Sequence, residues 1–197
     1  MNLPNKITTG RMVLSIIILT ILTIPWASLG IEIPNVIIFG INANLLYLIS
    51  GVLFMIASIT DFIDGYLARK NNQVTDFGKV MDAIADKMLV NGLLVILAAT
   101  NYISLAIPVI IITRDIIVDS IKMASGSKGK VVAASWMGKV KTIFMMVGLT
   151  LVLFHNLPFE LLGIRVDQIC VIIATILSIT SGFQYYMVNK DTLFKDK

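Results

Sequence analysis

Apolar residues run almost unbroken through six stretches of this chain, and polar residues collect between them. The stretches cover residues 11–30, 44–68, 79–100, 103–123, 137–155 and 168–188. Each is close to the roughly 20 residues that carry a helix across a bilayer. The pattern predicts an all-α integral membrane protein with six transmembrane helices. Ahead of the first stretch, residues 2–10 read Asn-Leu-Pro-Asn-Lys-Ile-Thr-Thr-Gly. A Pro among cap-type residues there predicts a short N-terminal interfacial helix. The apolar run from Met12 to Gly30 is longer than a secretory h-region and no A-x-A site follows. It is therefore expected to stay as a span rather than be cleaved. The longest polar loop is Ser125–Lys130, and Asn156–Asp167 forms a short loop with Pro158. No linker or repeat divides the chain, so residues 1–197 read as a single membrane domain.

Composition strengthens the membrane reading. The chain is 57% hydrophobic and 14% charged, outside the range of ordinary soluble domains. The basic residues orient it. With the first residues in the cytoplasm and six spans, Arg165 is the one basic residue among 16 Lys and Arg that falls in an external loop. That bias predicts a cytoplasmic position for both termini, in a multi-pass protein of the cell (plasma) membrane. No nucleic-acid partner is expected. Cys170 and His155 are the lone residues of their kinds, which excludes an intramolecular disulfide and a Cys/His zinc site. Both read as structural, Cys170 as a small buried residue and His155 as a polar residue at the interface.

Four carboxylates break the apolar pattern. Residues 61–69 read Asp61-Phe-Ile-Asp64-Gly65-Tyr-Leu-Ala68-Arg69, and residues 78–86 read Gly78-Lys-Val-Met-Asp82-Ala-Ile-Ala-Asp86. Ionisable groups within membrane helices are costly and mark function by default. At about 100° per residue, Asp61, Asp64, Gly65, Ala68 and Arg69 fall within one arc of about 140°. Gly78, Asp82 and Asp86 recur every fourth residue on one face of the next helix. Two facing helices would gather four carboxylates and two glycines. Arg69 and Lys79 mark the connecting loop, which places the site just below the cytoplasmic surface. Asp76, in that loop, reads as a solvated charge or a helix N-cap ahead of Phe77. Pairing of the four carboxylates with Arg69, Lys79 and Lys87 is the competing structural explanation, a poor way to stabilise a bundle.

The pattern D-x2-D-G-x2-A-R-x8-G-x3-D-x3-D resembles the signature of the CDP-alcohol phosphotransferase family, with every fixed position filled. The resemblance implies a membrane enzyme that moves a substituted phosphate from a CDP-linked lipid to an alcohol, releases CMP and depends on a divalent metal. Oxygen ligands without nitrogen or sulfur suit Mg2+ or Mn2+, and four Asp point to two divalent ions clamping a phosphoryl group. By resemblance, Asp61, Asp64 and Asp82 hold the metals. Asp86 contributes to the second metal and serves as general base. Asp61, Asp64, Gly65, Ala68, Arg69, Gly78 and Asp82 bind the CDP-lipid. Gly65 and Gly78 leave room for a nucleotide against the backbone, and Arg69 can reach phosphate with its forked donors.

A second basic set lies outside the signature. Arg114 sits several residues inside the fourth span, and Lys139 and Lys141 open the fifth, where they oppose the helix dipole. With Thr8 and Arg11 they predict a pocket for an anionic acceptor. The alternative, ordinary positive-inside charge, weighs equally for Lys141. The segments Asn2–Thr8, Arg114–Ile117 and Ser135–Thr142 resemble the branch of the family that joins CDP-diacylglycerol to glycerol 3-phosphate. Asp115 stands where many relatives carry Glu, and Asp119 falls where a basic side chain is expected close by. Sister enzymes using phosphatidylglycerol or an inositol phosphate remain open as alternatives. So do, from other classes, a cation transporter and a structural membrane scaffold. The resemblance also implies a homodimer among membrane lipids.

Overall fold

The computed structural model of the protein describes residues 3–70, 75–127 and 136–194, without the side chains of 3, 4, 64, 66–69, 76, 77, 79, 127 and 191–194. Six helices follow one another: α1 (Leu3–Thr23), α2 (Leu45–Lys70), α3 (Asp76–Ala99), α4 (Ala106–Ser127), α5 (Trp136–Leu153) and α6 (Val166–Phe194). Each predicted apolar stretch is a helix, and the all-α expectation holds. Among the described residues four helices are long and apolar enough to cross a membrane: Asn5–Thr23, Leu45–Ile63, Trp136–Leu153 and Val166–Lys190. The other two, α3 and α4, are interrupted by charge: Asp82, Asp86 and Lys87 on α3, and Arg114, Asp115 and Asp119 on α4.

Three local readings are corrected. The short interfacial helix and the first span are one continuous helix, α1. Pro4 lies in its first turn, where the missing N–H costs nothing, and Gly10 alone does not break it. That helix also ends at Thr23 rather than near residue 30, because Pro25 follows and Trp26–Leu29 closes into a 3-10 turn. The segment before α2, to which the hydropathy pattern assigned no element, is an antiparallel hairpin of β1 (Asn35–Ile38) and β2 (Ile41–Asn44). Its turn is Phe39-Gly40, with φ of 52° and 82°, the left-handed pair a two-residue hairpin turn needs. Finally, the N-cap of α3 is Thr75 rather than Asp76, which is the first residue of the helix; the Thr75 hydroxyl accepts the Gly78 N–H at 3.0 Å.

Helix α1 packs on α2 and α3, while α6 packs on α4 and α5. Ile18, Phe54, Leu93, Leu94, Leu97, Met145, Leu149 and Val171 fill the interior. The outward faces are equally apolar, with Ile17, Val52, Ile59, Ile143, Ile172 and Ile179 exposed. Helices hydrophobic all round fit a lipid surrounding rather than water. At Gly148 a Cβ would lie 2.7 Å from Val171 Cγ2, so α5 and α6 approach closely only because this position is bare, a common device between membrane helices.

At the hairpin end, His155 joins three segments. Its Nε2 accepts the Asn44 N–H at 3.4 Å and lies 3.2 Å from the Tyr102 hydroxyl. Tyr47 stacks at a tilt on Tyr102, ring centroids 4.8 Å apart. Partial burial holds His155 below its ordinary pKa. The predicted polar interfacial residue is thus a joint between the hairpin, the α3–α4 turn and the end of α5.

Candidate active site

The site lies at the opposite end, where α1, α2 and α3 meet. Arg11 is buried to 3% exposure, and its guanidinium sits between two signature carboxylates. Nη1 pairs with Asp61 on α2, and Nη2 pairs with Asp82 on α3. Nη2 also approaches the Asp82 carbonyl oxygen at 3.4 Å. The Asp61 and Asp82 side chains are 36% and 52% exposed, so the carboxylates open outward over a sealed cation. Asp86 follows one turn later on α3 and interacts electrostatically with Arg11 and Asp82.

The helices thus converge as the spacing predicts, on a cation nobody would place there from the signature alone. Arg11 was expected in the acceptor pocket. Its guanidinium instead gathers carboxylates of the metal set. Among the described residues no cluster of three His, Cys, Asp or Glu forms a metal cage. The donor set nevertheless suits a hard cation: carboxylates from two helices already converge on one positive group, and among the described residues no His or Cys lies with them. Asp64, Ala68 and Arg69, assigned to this site from the sequence, have side chains outside the described residues.

Gly65 is half-buried on α2. Gly78 faces Asn5, and a Cβ there would lie 2.7 Å from Asn5 Oδ1. That oxygen accepts the Thr75 hydroxyl at 3.2 Å. The start of α1 is therefore tied to the start of α3 through a bare backbone position. Asn5, quoted above only as part of a branch-like segment, had no assigned role.

A small cavity of about 40 Å³ adjoins Asp86. Asp86, Lys87 and Asn91 of α3, Asp115 of α4, and Lys141 and Thr142 of α5 supply its polar lining. The predicted base and one predicted acceptor ligand therefore share a cavity. Lys141 Nζ donates to Asp115 Oδ1 at 3.0 Å. The same oxygen accepts Arg114 Nη1 at 2.8 Å. Arg114 does not line the cavity. It turns toward α6, with Nε on the Ser178 carbonyl at 3.0 Å and Nη2 on the Ser181 hydroxyl at 2.8 Å. Its stem lies against Gly182, where a Cβ would meet Cγ at 3.0 Å. Thr8 is buried on α1, one turn before Arg11, and Lys139 is exposed at the start of α5. Lys87 pairs with Asp119 across α3 and α4, and Lys122 lies 4.0 Å from the same carboxylate. The basic neighbour expected at Asp119 is thus supplied by both lysines. Sequence reasoning missed Lys87 and Asn91 as lining residues, and gave Asp115 no task.

Residues 1–180 match the family model described as CDP-alcohol phosphatidyltransferase. A Bacillus subtilis protein named CDP-diacylglycerol--glycerol-3-phosphate 3-phosphatidyltransferase is 36% identical over 194 residues, covering 98% of this chain and 97% of that protein. A Rickettsia bellii protein of the same name is 32% identical over 191 residues, 96% of each chain. A Mycoplasma genitalium protein so named is 44% identical over 110 residues, 56% of this chain and 47% of that one. Signature, fold and full-length likeness agree: the chain belongs to the CDP-alcohol phosphatidyltransferase family.

Proposed function

We propose that the protein is a phosphatidylglycerophosphate synthase, which transfers the phosphatidyl group of CDP-diacylglycerol to glycerol 3-phosphate and releases CMP. One observation carries the acceptor assignment: a carboxylate, Asp86, and an ammonium, Lys141, line the same cavity, next to the Asp61–Asp82 pair. A phosphorylated alcohol needs both, a cation for its phosphate and a base for its hydroxyl. The full-length relatives named above support the same substrates.

In this mechanism Lys141, which lines the cavity, draws in the acceptor phosphate; Arg11 and Arg114 add positive field without lining it, and Thr8 and Lys139 complete the proposed acceptor set. Lys141 Nζ has three donors, and among the described residues one goes to Asp115. The remaining donors would serve the anion. Asp86 accepts the proton of the acceptor hydroxyl, as a positioned carboxylate can. The oxygen then attacks the phosphorus that carries the diacylglycerol, and the bond to CMP breaks. Gly65, Ala68 and Arg69 seat the CDP-lipid along α2, together with the signature carboxylates, while Gly78 serves the same site by admitting Asn5 of α1 against α3. Asp61, Asp64, Asp82 and Asp86 would hold two divalent ions, Mg2+ or Mn2+. When bound, these neutralise phosphate charge and stabilise the leaving group.

The basic bias of the loops supports six spans, with α3 and α4 crossing through their charged halves. It also supports a cytoplasmic site in the plasma membrane, and we take the working unit to be a homodimer. A panel of acceptors tests the reading: purified protein, CDP-diacylglycerol and Mg2+ or Mn2+, with CMP and lipid product measured for each alcohol. Glycerol 3-phosphate should be the preferred acceptor. Preference for phosphatidylglycerol or an inositol phosphate would move the protein to a sister activity, and metal transport without CMP release would overturn the enzyme reading.

A further inference from the structure

We infer that Asp115 is a positioning residue for the acceptor, fixing the Lys141 ammonium in the Asp86 cavity and itself held in place from α6 through Arg114. The inference rests on the function proposed above and adds a specificity device to it.

Three observations carry it. First, the two cations share a single acceptor atom. Asp115 Oδ1 receives Lys141 Nζ at 3.0 Å and Arg114 Nη1 at 2.8 Å. The three side chains are 12–16% exposed, so little water competes for these bonds. Second, Arg114 is pinned by α6 rather than by the cavity. Its Nε and Nη2 go to Ser178 and Ser181, and Gly182 leaves the space its stem occupies. A guanidinium with its fork spent on one helix and one carboxylate is a fixed strut. Third, Asp115 and Lys141 line the cavity with Asp86, and Arg114 does not.

The chemistry follows from the geometry. A lysine on four methylenes has many rotamers, and ordering it costs free energy at the moment a ligand binds. The Asp115 bond selects one direction for Lys141 before the acceptor arrives. It also stops the ammonium from crossing the cavity to pair with Asp86, which would occupy the base and the anion site together. The local charge of the triad stays positive by one unit, since two cations share one carboxylate. The cavity therefore still attracts a dianionic phosphate. Arg114 contributes through Asp115 and through the field, not by touching the acceptor.

The test is a kinetic split on the full-length protein in lipid nanodiscs with Mn2+. Asp115→Asn keeps the shape and removes the charge. Its KM for glycerol 3-phosphate should rise about tenfold, as expected for a weakened charge-assisted contact. The KM for CDP-diacylglycerol should stay within about twofold of the parent. Asp115→Glu should restore the acceptor KM to within about threefold, because the shared anion returns. Asp115→Asn on a Lys141→Met background should add little, since the two act as one unit. Should Asp115→Asn fail to fold, Ser181→Ala reads the same device from α6: the acceptor KM rises and the CDP-lipid KM holds. An unchanged acceptor KM in the folded variants, or equal loss for both substrates, overturns the inference. Absence of CMP release with glycerol 3-phosphate in the parent protein would instead overturn the function on which it rests.

Discussion

Arg11 and Asp82, 71 positions apart in the chain, meet at the centre of the signature, guanidinium on carboxylate. With Asp61 on the other side of the same guanidinium, a cation supplied by α1 balances the charges of α2 and α3.

This balance predicts how an Arg11→Gln variant behaves. Without metal, Asp61 and Asp82 would face each other uncompensated, and like charges at close range destabilise. Its melting temperature in EDTA should fall by several degrees. Mg2+ should narrow the deficit, because the added cation takes over the balance. Tryptophan-monitored unfolding with and without Mg2+ checks this; equal deficits in the two conditions would show that Arg11 and metal do not act at one place.

Asp86→Asn should cut turnover by at least about a hundredfold, the scale of a lost general base. The protein should remain folded and bind CDP-lipid, since Asp61 and Asp82 keep their positions. Near-normal CMP release from the folded variant would remove Asp86 from the base role.

Chelation should stop CMP release, and Mg2+ or Mn2+ should restore it. The prediction comes from the oxygen-only donor set at the α2–α3 end. Full activity after exhaustive chelation would sink the two-ion reading.

Orientation is open to a labelling test. Met123 is 76% exposed at the signature end of α4, and Phe39 is 77% exposed at the hairpin end. In intact cells an impermeant maleimide should label Phe39→Cys and spare Met123→Cys until the membrane is opened. The native Cys170 is buried. The reverse pattern would invert the topology.

His155 supplies a pH dependence. Burial lowers its pKa in the folded state, so the unfolded chain binds the extra proton first. Stability is then complete above the ordinary histidine value of about 6.5. It declines as pH falls through that value toward the lower folded one. Protonating Nε2 would also place a donor against the Asn44 N–H that it now accepts. The melting temperature of the parent should drop between pH 7.5 and 5.5 more than that of His155→Gln. Parallel drops would show that His155 does not titrate in that way.

How much of this was legible beforehand depended on distance along the chain. The helices and the Asp register follow from local periodicity, and both were readable. The meeting of Arg11 with Asp61 and Asp82 was not, because it depends on which face α1 turns to its neighbours. Arg114 stood out as a cation inside an apolar helix, yet its direction was hidden. The signal that could have found it is Ser181-Gly182 on α6, a hydroxyl beside a bare position; the Ser178 contact is through its backbone carbonyl and leaves no trace in the sequence. The hairpin was missed because Val36-Ile37-Ile38 reads as apolar filler until Phe39-Gly40 is seen as a turn.

The buried Arg11 also bears on how the chain is assembled. α1 leaves the ribosome before Asp61 or Asp82 has been made, so its arginine meets the bilayer alone. An unpaired arginine at the middle of a helix costs about 2.5–3.5 kcal/mol to insert, and near the interface it can reach water instead. The first helix therefore has reason to linger at the surface until α2 and then α3 arrive with their carboxylates. The charge partners that let α1 bury this arginine are complete only once the third helix has been made, since Asp61 lies on α2 and Asp82 on α3.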